Sequence, residues 1–246
     1  MGLVPAVIEL ELALRPGLQV YPARLHGAAC SMLEPTTVAH TASIKPFAAG
    51  PVVGAGDGTA GWRLGWLGDP SPDLRLDTVT FGPTSCPVLR QTVRPLTFGE
   101  LCRSRPARRA ELELLSPLYF SRNGRDYPLP DPVLILRSTI TRWNAHAPEA
   151  FTIPNELRES LLSTVYLEHG MRGGTIAAPV TSTMDQTGYV GTVPLALTRA
   201  ATDEVASLFV ALLRFAAVAG IGSQTTHGFG ATRLIRLGRE LMDGAR

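Results

Sequence analysis

Five histidines, at positions 26, 40, 146, 169 and 227, are the side chains of this 246-residue chain best suited to moving protons near neutral pH. A positioned imidazole of that kind is typically worth about 10²–10⁴ in rate. His40 stands five residues before Lys45, the one lysine among 23 basic residues. His26 stands beside Leu25, with Ala29 and Cys30 one turn on. His227 lies in the stretch GIGSQTTHGFGATRL, residues 220–234. The other basic residues are arginines, whose planar fork suits phosphate. No HxH, DxD or paired carboxylates suggest a metal, and Cys30, Cys86 and Cys102 lack CxxC spacing. Metal-independent chemistry without a cofactor is expected.

The stretch at 220–234 has four glycines and no acidic residue. It is not a Walker loop, since no lysine follows a glycine, and not a dinucleotide loop, which would precede a helix. Against the strand motif of RNA recognition domains only Gly228, Phe229 and Gly230 match. Two physical readings remain. Exposed N–H groups of Gly220, Gly222, Gly228 and Gly230 can form an anion-binding concavity, with Ser223, Gln224, Thr225, Thr226 and His227 adding donors. Alternatively, the glycines only meet the backbone demands of a tight helix-to-strand turn.

These residues must be placed by elements that recur twice along the chain. Residues 6–14 alternate, with Ile8, Leu10, Leu12 and Leu14 on one face of a strand. A helix follows from Pro22 to about Glu34, then strands in 44–53 and 62–68, a weak helix, and a strand over 86–98. After the arginine-rich segment 102–110 the order repeats. A strand over 110–120 leads to a helix at 131–146 and a short helix at 154–163. Two strands come next, then an apolar helix at 202–219 ended by Gly220, and a closing strand at 231–237. This predicts an α+β fold of two tandem ferredoxin-like (RRM-like) βαββαβ domains, 1–101 and 111–246, joined by a linker at 102–110. A chain that is 45% hydrophobic can fill two such cores of about 100 residues each. With net charge +2 and pI near 8.6, an anionic partner is permitted but not required. No leader or membrane span is expected, and the scattered cysteines fit a cytoplasmic protein.

The strand GYVGTVPL, a helix, then AGIGSQTTHGFGATRL resembles the carboxy-terminal half of CRISPR-associated endoribonucleases of the Cas-six family. Gly188, Gly191, Gly220, Gly222, Thr225, Gly228 and Gly230 carry the resemblance, which spans 112–237. The first half matches more loosely, through LHGAACSML and IKPF. The resemblance implies the two-domain fold and metal-independent cutting of CRISPR repeat RNA to guide RNAs. In that chemistry the 2′-hydroxyl attacks phosphorus, leaving a 2′,3′-cyclic phosphate and a 5′-hydroxyl. It implies His40 as general acid or base before the KPF-like strand, Lys45 offsetting phosphate charge and Tyr21 orienting the 2′-hydroxyl. His26 is the rival catalytic histidine, while His146 and His169 have no neighbours to recommend them. For RNA binding it points to the glycine stretch with Arg233, and to Arg137 and Arg142 on the helix at 131–146. The partner is then repeat RNA, as hairpin or single strand. Effector-complex subunits and a homodimer are further options, and a non-catalytic RNA-binding subunit of the same fold is the alternative.

Overall fold

In a computed structural model of the chain, residues 5–14, 17–34, 44–68, 74–180, 184–238 and 240–241 are described below. The first unit comprises β1 (Ala6–Ala13), α1 (Pro22–Leu33), β2 (Phe47–Gly54), β3 (Thr59–Trp66), β4 (Thr78–Phe81) and β5 (Thr84–Pro95). Its antiparallel sheet has the order β2-β3-β1-β5-β4. Ile8, Leu10 and Leu12 of β1 turn one face into a core with Trp62, Phe47 and Phe81. Leu25, Ala28, Ala29 and Leu33 of α1 cover that face, leaving His26 and Cys30 on the helix's flank.

The weak second helix expected here is replaced, among the described residues, by β4. TVTF has the β-branched alternation of a strand, burying Val79 and Phe81, and a turn at Gly82, with φ of 61°, folds it back onto β5. Helix α2 (Phe98–Cys102) comes only after β5.

The second unit comprises β6 (Arg109–Leu118), the hairpin β7 (Phe120–Arg122) and β8 (Arg125–Tyr127), α3 (Pro132–His146) and α4 (Asn155–Thr164). It continues with β9 (Val165–Leu167), β10 (Arg172–Pro179), β11 (Asp185–Leu197), α5 (Asp203–Ala219), β12 (Thr232–Leu237) and β13 (Glu240–Leu241). The sheet order β10-β11-β6-β12-β13 repeats the 2-3-1-4 order of the first unit, with β9 also on β11. Each unit is thus ferredoxin-like, the first with a strand where its second helix would be. Helix α5 organises the larger core. Thr202 caps its first turn by accepting from the Val205 N–H, Asp203 and Glu204 sit at its positive end, and Phe209, Leu212, Leu213 and Phe215 are fully buried. Phe98 and Leu101 of α2 pack into this core, as do Val7 and Leu67 from the first unit. The arginine-rich segment before β6 is fastened to α5's N-terminus, where Arg108 donates to the Ala201 carbonyl at 2.8 Å.

The two units meet backbone to backbone. A Cβ placed on Gly65 of β3 would lie 1.8 Å from the carbonyl oxygen of Val218, near the end of α5. The approach fixes α5's C-terminus, and hence the segment after it, against the first sheet. Gly65→Ala is therefore expected to lower stability by roughly 1–3 kcal/mol in denaturant titration, as overpacking does. Gly61→Ala on the same strand, where a Cβ meets nothing within 4 Å, should be close to neutral.

Candidate RNA-cleavage site

Helix α5 ends at Gly220, with φ of 69°, and the chain then doubles back on itself. Gly230 has φ of 63°, and a Cβ on it would lie 1.8 Å from the Ile221 carbonyl oxygen. Gly222 also approaches the Tyr119 carbonyl too closely for a side chain, with 2.4 Å left for a Cβ. Only glycine permits both the positive φ and the approach. The amides are paired internally. Ile221 N–H donates to Gly230 at 2.9 Å, Ser223 to Tyr119 at 2.9 Å and Gly230 to Pro117 at 3.0 Å. Gly222 donates to Ser138 Oγ at 2.8 Å. The expected concavity of exposed glycine amides is corrected accordingly for Gly220, Gly222 and Gly230, because buried N–H groups must find partners. Thr225 and Thr226 are buried, Ser223 accepts from the Ser121 N–H at 2.9 Å, and Gln224 is the exposed side chain, in the left-handed region at φ 51°.

The loop's purpose lies in where it puts its 3₁₀ turn, Thr225–His227. That turn rests on α1 and β2 of the first unit, with Gly228 against Leu25. His227 stacks on His26 with ring centroids 3.9 Å apart and planes 8° from parallel. The Thr226 carbonyl lies 3.4 Å from His26 Nδ1, and Thr226 Oγ1 lies 3.1 Å from His227 Nδ1. Cys30 Sγ is 3.4 Å from His26 Nε2, and Phe47 stands behind at 6.5 Å. Burial, and secondarily the His26 ring, push His227 down to about 4, so its imidazole is neutral at physiological pH. Burial and the nearby Glu34 push the Cys30 thiol up to about 11, leaving it protonated.

The other sequence candidates scatter around this seam. His40 lies outside the described residues. Lys45 does not present a free charge to a phosphate as expected. Its ammonium is buried and ion-paired with Glu34, the residue that caps α1, because the end of α1 and the start of β2 converge there. Tyr21 stands at the opposite end of α1, its hydroxyl donating to Gln19 Oε1 at 2.9 Å. Twelve helical residues separate it from the Lys45–Glu34 pair, about 18 Å at 1.5 Å each. Arg137 and Arg142 diverge on α3. Arg137 is exposed, whereas Arg142 is half-buried, with its Nη1 enclosed and its Nη2 donating to Thr225 Oγ1. Arg142 is thus corrected from an RNA-facing arginine to an internal one. Arg233 is exposed on β12 and paired with Glu113 of β6, Nε to Oε2 at 3.0 Å. His146 is half-buried at α3's end, its pKa lowered by desolvation and by Arg142, with a hydrogen bond to the Lys45 backbone.

The sequence reading missed the β7–β8 hairpin. It carries exposed Arg122, Arg125 and Tyr127, and its strand β7 is tied to the loop through Ser121 and Ser223. The signal was present: Asn123-Gly124, both at positive φ, is a two-residue hairpin turn flanked by arginines.

Known proteins share this fold. The model of CRISPR-associated endoribonuclease Cas6 matches residues 112–232. A Cas6 solved as a product complex is 31% identical, covers 94% of this chain and 99% of its own, and superposes with a TM-score of 0.80. Cas6 of Thermus thermophilus is 25% identical over 95% of this chain and 99% of its own, with a TM-score of 0.74. A RAMP protein described as binding different RNA substrates is 14% identical over 94% of this chain and all of its own, with a TM-score of 0.54, and shares the fold. No curated protein sequence matches the chain. No described helix is long and apolar enough to cross a membrane. With a relative above 30% identity matched over nearly its whole length, and the glycine loop inside the family match, the chain belongs to the CRISPR-associated endoribonuclease Cas6 family.

Proposed function

We propose that this endoribonuclease cuts CRISPR repeat RNA at one position within precursor transcripts, releasing guide RNAs, and that the cut is made at the seam between α1 and the glycine loop. The observation that carries the placement is the His26–His227 stack, which brings the two units' imidazoles together at the edge of the loop. The segment from which His40 comes follows the C-terminal end of α1, the helix that carries His26, and the residues that bound it, Glu34 and Lys45, are ion-paired. His40 serves as the proton-transfer group, with His26 the second imidazole at the site. Lys45 holds the segment's ends, and Tyr21, five residues before His26 at the start of α1, orients the 2′-hydroxyl. The 2′-hydroxyl attacks phosphorus as its proton leaves. The P–O5′ bond breaks as the leaving oxygen gains a proton, giving a 2′,3′-cyclic phosphate and a 5′-hydroxyl. No metal is needed, because RNA supplies its own nucleophile.

RNA is gripped mainly by shape and phosphates, as A-form helices demand. The β7–β8 hairpin, with Arg122, Arg125 and Tyr127, flanks the loop, Ser223 and Gln224 extend that surface, and Arg137 and Arg233 are further exposed cations. The reading also leaves the protein in the cytoplasm, where transcripts are made.

Repeat RNA incubated with the chain in excess EDTA should be cut once. Its downstream fragment should accept label from polynucleotide kinase without prior phosphatase. His40→Ala should slow single-turnover cleavage by about 10²–10⁴ while repeat RNA still binds. Loss of cutting in EDTA, 5′-phosphate ends, or a His40→Ala rate equal to the parent's would contradict the mechanism. Replacing Arg122 and Arg125 together by Met should weaken RNA binding and reduce the slope of log affinity against log salt by about 0.7–0.9 per lost phosphate contact.

A further inference from the structure

We propose that Arg142 is a positioning residue for RNA cleavage: through Thr225 it holds the 3₁₀ turn Thr225–His227 against α1, and it does not touch RNA. The proposal rests on the endoribonuclease reading above. Its geometry begins with α3, which presents Ser138, Arg142 and His146 at intervals of four, and hence on one face. Each of the three reaches a different part of the site. Ser138 Oγ accepts the Gly222 amide at 2.8 Å. Arg142 Nη2 donates to the Thr225 hydroxyl. His146 bonds the backbone of Lys45, at the end of the segment that carries His40. One helix face therefore ties the glycine loop of the second unit to the α1–β2 corner of the first.

Arg142 is the pivotal member of that face. Thr225 is 1% exposed and wedged between Arg142 and Gly220, where a Cβ would lie 2.9 Å from Thr225 Cγ2. The next residue, Thr226, touches both imidazoles, its carbonyl toward His26 and its hydroxyl toward His227. A shift of Thr225 is thus passed directly to the stack. The arginine is in no position to bind a phosphate. Its Nη1 is buried with no partner among the described residues, and burial lowers its pKa to about 10, still a cation at neutral pH. A buried charge is costly and adds little stability, so a role in geometry accounts for its presence better than a role in folding.

The test uses the full chain as wild type, Arg142→Met, Arg142→Lys, Thr225→Val and the Arg142→Met/Thr225→Val double variant. The His227 ring is titrated by NMR beside single-turnover cleavage and the salt dependence of repeat-RNA affinity. In the wild type His227 should titrate at about 4. In Arg142→Met and Thr225→Val the turn lifts from α1, the ring regains water, and the midpoint rises toward the ordinary value near 6.5. Cleavage should slow by roughly 10- to 100-fold, as misplacement by about an ångström does, while the salt slope stays at the wild-type value. Arg142→Lys should recover part of the rate, and the double variant should be no slower than the slower single one. An unmoved His227 titration in Arg142→Met overturns the proposal, as does a salt slope reduced by about 0.7–0.9, which marks a phosphate contact. If Arg142→Met does not fold, Thr225→Val carries the same readouts. A wild type that leaves repeat RNA intact would overturn the proposed function instead, with the titration arms still readable.

Discussion

The stacking of His227 on His26 is the contact on which the rest of the molecule depends. It joins a loop at the end of the second unit to a helix at the start of the first, across 200 residues of chain. Both rings can lie at van der Waals distance in a half-buried seam only if at least one is uncharged, and burial ensures this for His227. Every costly feature nearby serves that closeness. The glycines at positive φ fold the loop tightly, its amides bond inward, and α3 presses it from behind through Ser138 and Arg142.

The glycine motif therefore acts less as a cradle than as a mount. Its N–H groups hold the loop's shape, and the surface offered to RNA in the proposed function is made of side chains: Gln224 and Ser223 on the loop, and the arginines of the β7–β8 hairpin tied to it through Ser121. In the proposed function, recognition and chemistry are divided between elements: the hairpin and loop edge offer charge to a phosphate backbone, while α1 and the glycine loop bring the His26 and His227 rings together.

Much of the fold was legible because its signals are local. Alternation in β1, the stripe of α5 with its Thr202 cap and Gly220 stop, and the repeated strand order all follow from periods of 2 and 3.6. The strand β4 was not legible, since four residues of TVTF are too few to outweigh a weak helical pattern until β5 pairs with them. The site was legible in its residue types but not in its partnerships. Lys45 looked like a free cation until the end of α1 brought Glu34 to it, and Arg137 and Arg142 looked alike until α3 turned one outward and one inward. His26 and His227 each stood alone in the sequence. Only the packing of one unit on the other makes them a pair.

The most direct measurement is a crystal structure of the chain with repeat RNA carrying a 2′-deoxy substitution at the cleavage position, which blocks the attack and keeps the substrate whole. The account predicts the uncut phosphate beside the seam of α1 and the 3₁₀ turn, with the stem against Arg122 and Arg125. An RNA lying elsewhere, with His26 and His227 still stacked and bare, would contradict it.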